Sequence, residues 1–322
     1  MKNYSLNQDA PVALSGATIA TAAVVLPAAC AGMRFDQALA HLFPEHSRSR
    51  LTTWVKAGRV TLDGDLSTPS QKVWGGEKVT VTPLADPQTT AFRAQDIPID
   101  VVFEDDHLIV LNKPAGLVVH PGSGNWDGTL LNALLQHAPS LEKIPRAGIV
   151  HRLDKDTSGL LVVAKTLTAQ TALVRQLQDH SVAREYVAVV HGFVAHEGSV
   201  DAPIGRHKIQ RTRMAVAPNG KAAITHYEPI EHFGQITLLR CRLETGRTHQ
   251  IRVHLQSIGH PIVGDPVYGG SRKIPAAAHF ARQALHAEKL ALTHPATGRR
   301  RSWNARMPAD MRQLIAGLKS AT

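Results

Sequence analysis

The sequence predicts an α+β protein in two parts. A small α/β module comes first, followed by a larger domain on a largely antiparallel mixed sheet flanked by helices and loops. Three observations predict it. Within 33–84, two short helical periods are followed by strand-like runs separated by glycine-containing turns. From 99 to 322, many apolar runs of strand length occur with only scattered helical periods. Between them, 85–98 has Pro87 and Pro98 and no sustained apolar period, and it reads as a linker. Residues 1–32 are left as an N-terminal extension.

In the first module, Phe35, Leu39 and Leu42 stand at helical spacing, and Pro44 ends that helix. Ser47 or Ser49 can cap a second helix that places Leu51, Trp54 and Val55 on one face. Strands are expected over 59–62 and 77–81, the first ending in an Asp63-Gly64 turn. Arg48, Arg50 and Lys56 cluster with Arg59 across the second helix and the following turn. They can track a phosphate backbone, and a solvated helix face accounts for them equally well.

In the larger domain, 101–103 and 108–111 read as strands joined by the acidic turn Glu104-Asp105-Asp106. A helix is expected over 128–137, a buried strand over 160–164 and an amphipathic helix over 169–178. Further strands are expected over 186–190, 223–227 and 236–243, with helical periods at 248–257 and 307–318.

The chain of 322 residues carries 36 Lys plus Arg against 26 Asp plus Glu, a formal net charge of +10. That surplus favours a polyanionic partner, most simply nucleic acid. Cys30 and Cys241 are too few for a thiolate metal site and suit a reduced, cytoplasmic compartment. The Ala- and Val-rich run over 10–29 is interrupted by Ser15, Thr18 and Thr21, so neither an export signal nor a membrane span is expected.

Chemistry concentrates in 148–165, where a charged cluster runs into an apolar strand. Asp154, between Arg152 and Lys155, suits nucleophilic attack or electrostatic support better than acid catalysis. Asp156 opens Asp156-Thr157-Ser158-Gly159, a turn in which its carboxylate is expected to bind backbone amides. Tyr186 offers a flat face and a hydroxyl, or a packed position at the sheet edge. In 244–254, Gly246 permits a tight turn and Thr245 or Thr248 can cap the following helix. Arg247 and Arg252 both lie there. An arginine fork from this segment can hold Asp154 or meet phosphate. Arg206, Lys208, Arg211 and Arg213 make a dense basic loop, and Arg299-Arg300-Arg301 precede Trp303, a base-stacking or packing residue. No phosphate-binding loop or dinucleotide fingerprint is present. His249 and His254 are wrongly spaced for a metalloprotease helix. No metal and no cofactor are expected.

The decapeptide His151-Arg152-Leu153-Asp154-Lys155-Asp156-Thr157-Ser158-Gly159-Leu160 resembles the signature of the ribosomal RNA pseudouridine synthases that act without a guide RNA. Segments 243–254, 264–269 and 285–295 resemble that family's further motifs, and the first module resembles an S4-type RNA-binding domain. Phe43-Pro44, Ser47-Arg48-Ser49-Arg50, 118–122 and the 206–213 loop are similar to a subgroup acting on the helix 69 stem-loop of bacterial large-subunit ribosomal RNA.

The resemblance implies isomerisation of uridine to pseudouridine in a flipped nucleotide. It makes Asp154 the catalytic aspartate, Tyr186 the tyrosine that packs on the base and Arg247 the residue that salt-bridges the aspartate. Arg152 becomes the residue that enters the RNA stack. The implied partner is ribosomal RNA or a large-subunit precursor, met in the cytoplasm by a monomer without membrane attachment. Other uridines of the same RNA are an alternative target. The rivals from other classes are a non-catalytic RNA-binding or ribosome-assembly factor, needing no Asp154–Arg247 pair, and an RNA glycosidase, needing a second facing carboxylate.

Overall fold

The computed structural model describes residues 21–82, 91–122, 124–270 and 280–321. The chain divides into two compact units, Met1–Thr89 and Thr90–Thr322.

In the first unit, α1 (Phe35–Leu42) and α2 (Arg48–Lys56) accompany β1 (Ala22–Val25), β2 (Val60–Leu62), β3 (Asp65–Leu66) and β4 (Lys78–Val81). The strands form one antiparallel sheet in the order β1-β4-β2-β3. Phe35, Leu39, Leu51, Trp54, Val60, Val79 and Val81 share its core, so the apolar spacing of both helices does face inward. Ser47, rather than Ser49, caps α2: its Oγ accepts the Arg50 N–H at 3.3 Å. Asp63 and Gly64 both have positive φ, as a two-residue type I′ hairpin requires.

Strand β1 corrects the expectation that 1–32 is an extension, because Ala22–Val25 pairs along β4. Four small apolar residues on a half-exposed edge carry no alternating pattern to announce them.

The second unit is a nine-stranded sheet in the order β5-β6-β7-β14-β8-β13-β12-β9, with β15 paired to β14. Its left half comprises β5 (Val101–Glu104), β6 (Leu108–Lys113), β7 (Ser158–Ala164) and β14 (Leu285–Thr293). The remainder comprises β8 (Ala183–His191), β9 (Gly198–Asp201), β12 (Ile224–Phe233), β13 (Ile236–Leu243) and β15 (Arg300–Asn304). A separate hairpin joins β10 (Ile204–Arg206) to β11 (Met214–Val216). All pairings in the large sheet are antiparallel except β7 with β14.

Both faces of β6 and β7 are covered. Ile109, Leu111, Leu161 and Val163 join a core with α3 (Leu130–His137), α5 (Gln250–Ser257) and α6 (Ala309–Ser320). Leu108, Val110, Leu160 and Val162 pack on the other side with Leu173 of α4 (Leu167–Gln178). Burial on two faces explains the unbroken apolar runs of these strands. Trp303 belongs to this second core, its ring centroid 5.4 Å from that of Phe103. It is therefore a packing residue and not a base-stacking platform.

Part of the expected linker is structural too. Asn132 Nδ2 donates to the carbonyls of Ala91 and Arg93 at 3.1 and 2.8 Å, and Gln95 Oε1 accepts the Gly128 N–H at 2.7 Å. Residues 91–95 thus fasten to the start of α3 by polar contacts that an apolar period does not report. The rest of that linker, from 85 to 90, lies outside the described residues.

Candidate active site

The charged segment before β7 is pinned from several sides. Leu153 is buried, and the Asp154 carbonyl accepts the Thr157 N–H at 3.1 Å, closing a turn. Thr157 Oγ1 accepts from Gln283, and Ser158 Oγ lies 2.9 Å from His286 Nδ1. His151 Nε2 accepts the Val162 N–H at 3.0 Å. Two glycines permit this packing: a Cβ on Gly148 would strike the Ala164 carbonyl, and one on Gly159 would strike the Ala287 backbone where β7 meets β14.

Lys113 closes the turn from below. Its fully buried Nζ donates to the carbonyls of Pro114, Leu117 and Lys155 at 2.8, 2.9 and 2.9 Å. Burial lowers its pKa to about 7, against the pull of Asp156 and Asp154. Three carbonyls match the three hydrogens of an ammonium, so the site is built for the charged form.

Asp156 does not bind backbone amides as expected. Arg282 takes its carbonyl at 3.1 Å, and its carboxylate accepts no hydrogen bond among the described residues.

Asp154 Oδ2 accepts from Arg252 Nη1 at 2.8 Å. Arg252 in turn grips Asp265 through Nε at 2.7 Å and Nη2 at 2.9 Å. The Asp265 side chain is wholly buried and also accepts the Val267 and Tyr268 N–H groups. Burial disfavours both charges, but the pairing outweighs it. Arg252 is held above its ordinary pKa and Asp265 below its own. Asp154 Oδ1 has no hydrogen bond among the described residues; His249 Nε2 faces it at 3.9 Å.

This geometry corrects two expectations. The aspartate's partner is Arg252, which is buried against two carboxylates instead of lying exposed toward phosphate, whereas Arg247 donates through Nε to the Ala222 carbonyl at 3.0 Å. The cause lies in the intervening turn. Thr245 Oγ1 donates to Gln250 Oε1, which also takes the Arg247 N–H, stitching this turn beside β12. His249, in the left-handed region at φ 57°, is the N-cap residue in place of Thr245 or Thr248, and it redirects the chain into α5. Gly246 has no positive φ to demand glycine, and a Cβ there would lie 2.7 Å from Arg184 Nη1.

Tyr186 sits on central strand β8, paired with Cys241 on one side and Ala287 on the other. Burial raises its pKa; Arg184 opposes that and the Asp154 charge adds to it. Arg152 is exposed and makes no ion pair among the described residues, and its charge helps lower the pKa of His249 after burial and Arg252.

The basic loop is the tip of the β10–β11 hairpin. Arg206 Nη1 donates to the Arg211 carbonyl at 3.2 Å, and Lys208 and Arg211 are exposed. Arg213 bonds the Val267 carbonyl and lies 5.2 Å from the Tyr268 ring centre, so it alone of the four is tied to the site. In the first unit, Arg48 is paired with Asp36 at 2.8 Å, Arg50 lies 5.2 Å over Trp54, and Lys56 is exposed.

Sequence reasoning passed over His249 and assigned no role to Lys113, Asp265 or Tyr268. The adjacency of Gly264-Asp265-Pro266-Val267-Tyr268 to the aspartate is set by the fold. The one local signal was an acid flanked by Gly and Pro, a composition suited to a side chain that caps a turn.

A family described as RNA pseudouridylate synthase matches residues 107–257, and the S4 domain matches 33–79. The "Ribosomal large subunit pseudouridine synthase D" of Nitrosomonas europaea is 54% identical over 99% of this chain and 94% of that protein. The proteins of the same name from Pseudomonas aeruginosa and Escherichia coli O157:H7 are each 53% identical, over 92% and 90% of this chain and 95% and 91% of their own. Among solved structures, "Human RNA Pseudouridylate Synthase Domain Containing 4" aligns with a TM-score of 0.55 at 24% identity, covering 68% of this chain and 93% of that one. That likeness bears on the fold.

Proposed function

This chain belongs to the RNA pseudouridylate synthase family, and from that premise we propose that it isomerises uridine to pseudouridine in the helix 69 stem-loop of large-subunit ribosomal RNA. The observation that carries the reading is the state of Asp154. One carboxylate oxygen is fixed by a buried guanidinium while the other, Oδ1, is unbonded among the described residues, on a side chain that is partly open to solvent.

In this reading the target uridine is extruded and Arg152, exposed and without an ion pair among the described residues, fills the vacated stack. Asp154 Oδ1 then acts at the sugar, by attack on C1′ or removal of the C2′ proton. Either route frees the C1′–N1 bond. The uracil turns and C5 joins C1′, displacing the Asp154 carboxylate from C1′ in the first route, or with Asp154 returning the proton to C2′ in the second; the C5 proton is then lost while N1 gains one. Atoms balance without any external group.

Arg252 keeps Oδ2 in place, and Asp265 fixes Arg252, so the reacting carboxylate needs little reorganisation. Tyr186 packs on the base, and burial keeps its hydroxyl protonated. Arg206, Lys208 and Arg211 on the hairpin, with Lys56 and Arg50 on the first unit, supply attraction to phosphate. We further assign the protein to the cytoplasm, acting as a monomer on ribosomal RNA or a large-subunit precursor.

Pseudouridine mapping of ribosomal RNA tests this. Loss of the protein should erase pseudouridine from the helix 69 loop, with recovery by the wild type and none by Asp154→Asn, which retains RNA binding. An unchanged map, an abasic product or turnover by Asp154→Asn would reject the assignment.

A further inference from the structure

His249 faces the unbonded oxygen of Asp154, with Nε2 3.9 Å from Oδ1. Its left-handed backbone, φ 57° and ψ 23°, is a region that non-glycine residues seldom occupy. The other ring nitrogen, Nδ1, lies 2.9 Å from the Tyr268 hydroxyl, and that hydroxyl accepts the Met214 N–H at 2.9 Å.

These contacts accommodate a ring proton on Nε2. A backbone N–H can only donate, so the Tyr268 oxygen accepts from Met214 and its own proton is available to donate to His249 Nδ1. In that arrangement Nδ1 is the acceptor and the ring proton sits on Nε2, toward Asp154 Oδ1. Tyr268 is itself fixed: its N–H donates to Asp265 Oδ1 at 3.0 Å, and its ring centre lies 5.0 Å from the Arg252 guanidinium and 5.2 Å from that of Arg213. Burial lowers the His249 pKa; the Asp154 and Asp265 charges oppose this, while Arg252 and Arg152 reinforce it. Burial thus favours the neutral ring.

We infer that His249 is a further catalytic residue whose Nε2–H donates a hydrogen bond to O2 of the target uracil as the glycosidic bond breaks. The inference rests on the function proposed above. When C1′–N1 cleaves, its electron pair stays with the uracil, and negative charge spreads onto O2 and O4. O2 adjoins N1 and so lies beside the sugar atoms on which Asp154 Oδ1 acts. A donor 3.9 Å from Oδ1 is too distant to tie up the carboxylate, yet it borders the same reacting centre. Donors aimed at developing charge, and held there beforehand, stabilise the transition state. The histidine transfers no proton. The pair that left N1 with the uracil is used when C5 bonds to C1′.

Single-turnover rates of the full chain, with a helix 69 stem-loop carrying uridine or 2-thiouridine at the target, test this. Sulfur is a weaker acceptor than oxygen. His249→Ala and His249→Asn, the latter tolerant of a left-handed backbone, should each slow uridine by roughly 10²-fold with RNA affinity unchanged. The wild type should lose rate with 2-thiouridine relative to the variants, in which the two changes should not multiply. Wild-type rates in both variants, or multiplicative effects, would overturn the inference. Imidazole ¹⁵N spectra of the wild type near pH 7 provide a test independent of any variant: Nε2 should be protonated and Nδ1 bare, and either the opposite tautomer or an imidazolium would also overturn it. A wild type that makes no pseudouridine rejects the underlying function; a wild type that does, with indifferent variants, rejects the role of His249 alone.

Discussion

Two groups of arginines in the second unit are put to opposite uses. Beneath Asp154, Arg252 is 5% exposed and makes three hydrogen bonds to two carboxylates. At the β10–β11 hairpin, Arg206 and Arg211 are exposed, and the bond recorded between them runs from the Arg206 guanidinium to the Arg211 carbonyl. A cation that must orient another charge has to be stripped of water, and stripped charges survive only when several partners hold them at set angles. A cation that attracts a polyanion works while hydrated, because neutralising phosphate releases counterions without a fixed geometry. Angle matters under Asp154. On the proposed function, net charge is what matters on the hairpin.

Arg252→Leu should break this contrast hardest. It leaves Asp154 Oδ2 unheld and Asp265 buried without its cation. We expect a single-turnover loss of ~10²–10³-fold and a destabilisation of about 3–5 kcal/mol by urea unfolding. Arg247→Leu, five positions earlier in the same segment, should change stability by less than about 1 kcal/mol and leave the saturating rate near that of the wild type. Equal losses at the two positions would place the aspartate's support elsewhere.

Replacing Arg206, Lys208 and Arg211 together by alanine sharpens the other side of the comparison. RNA affinity should weaken, and its logarithmic salt dependence should flatten by roughly 2 if all three meet phosphate. The rate at saturating enzyme should hold. A chemical step that collapsed with an unchanged salt slope would make the hairpin part of the catalytic floor.

The smallest effect concerns pH. Burial lowers the His151 pKa to about 3 and that of His120 to about 4. The unfolded chain binds these protons from about pH 6.5 downward, so the native state holds fewer protons in that window. Stability from these groups is complete above pH 6.5 and is lost as pH falls toward 4 and then 3. Urea midpoints should decline over that range, less steeply in His151→Gln. An identical slope in the variant would remove His151 from the account.

Much of this was legible from residues alone. The helices of the first unit, the buried strand before α4 and the position of Asp154 just ahead of that strand follow from periodicity, turn chemistry and the charged-to-apolar switch around 151–160. Strand β1 was not legible, since four small residues at a sheet edge carry no pattern. Strand β14 was recognised as a motif without its part as the neighbour that pairs parallel to β7. The arginine assignment failed for a related reason. Arg247 and Arg252 are equivalent as letters, and only the left-handed turn at His249 decides which one reaches the aspartate.

By itself the sequence determined the α+β class, the cationic surplus and the acid that carries the proposed chemistry, because these depend on composition and on neighbours within a few residues. Tertiary structure decided the rest: which arginine holds the acid, which oxygen is left free and which histidine faces it. Those contacts join residues 98 positions apart and more than a hundred apart around the same turn. Packing of the sheet creates that proximity, and no local spacing encodes it.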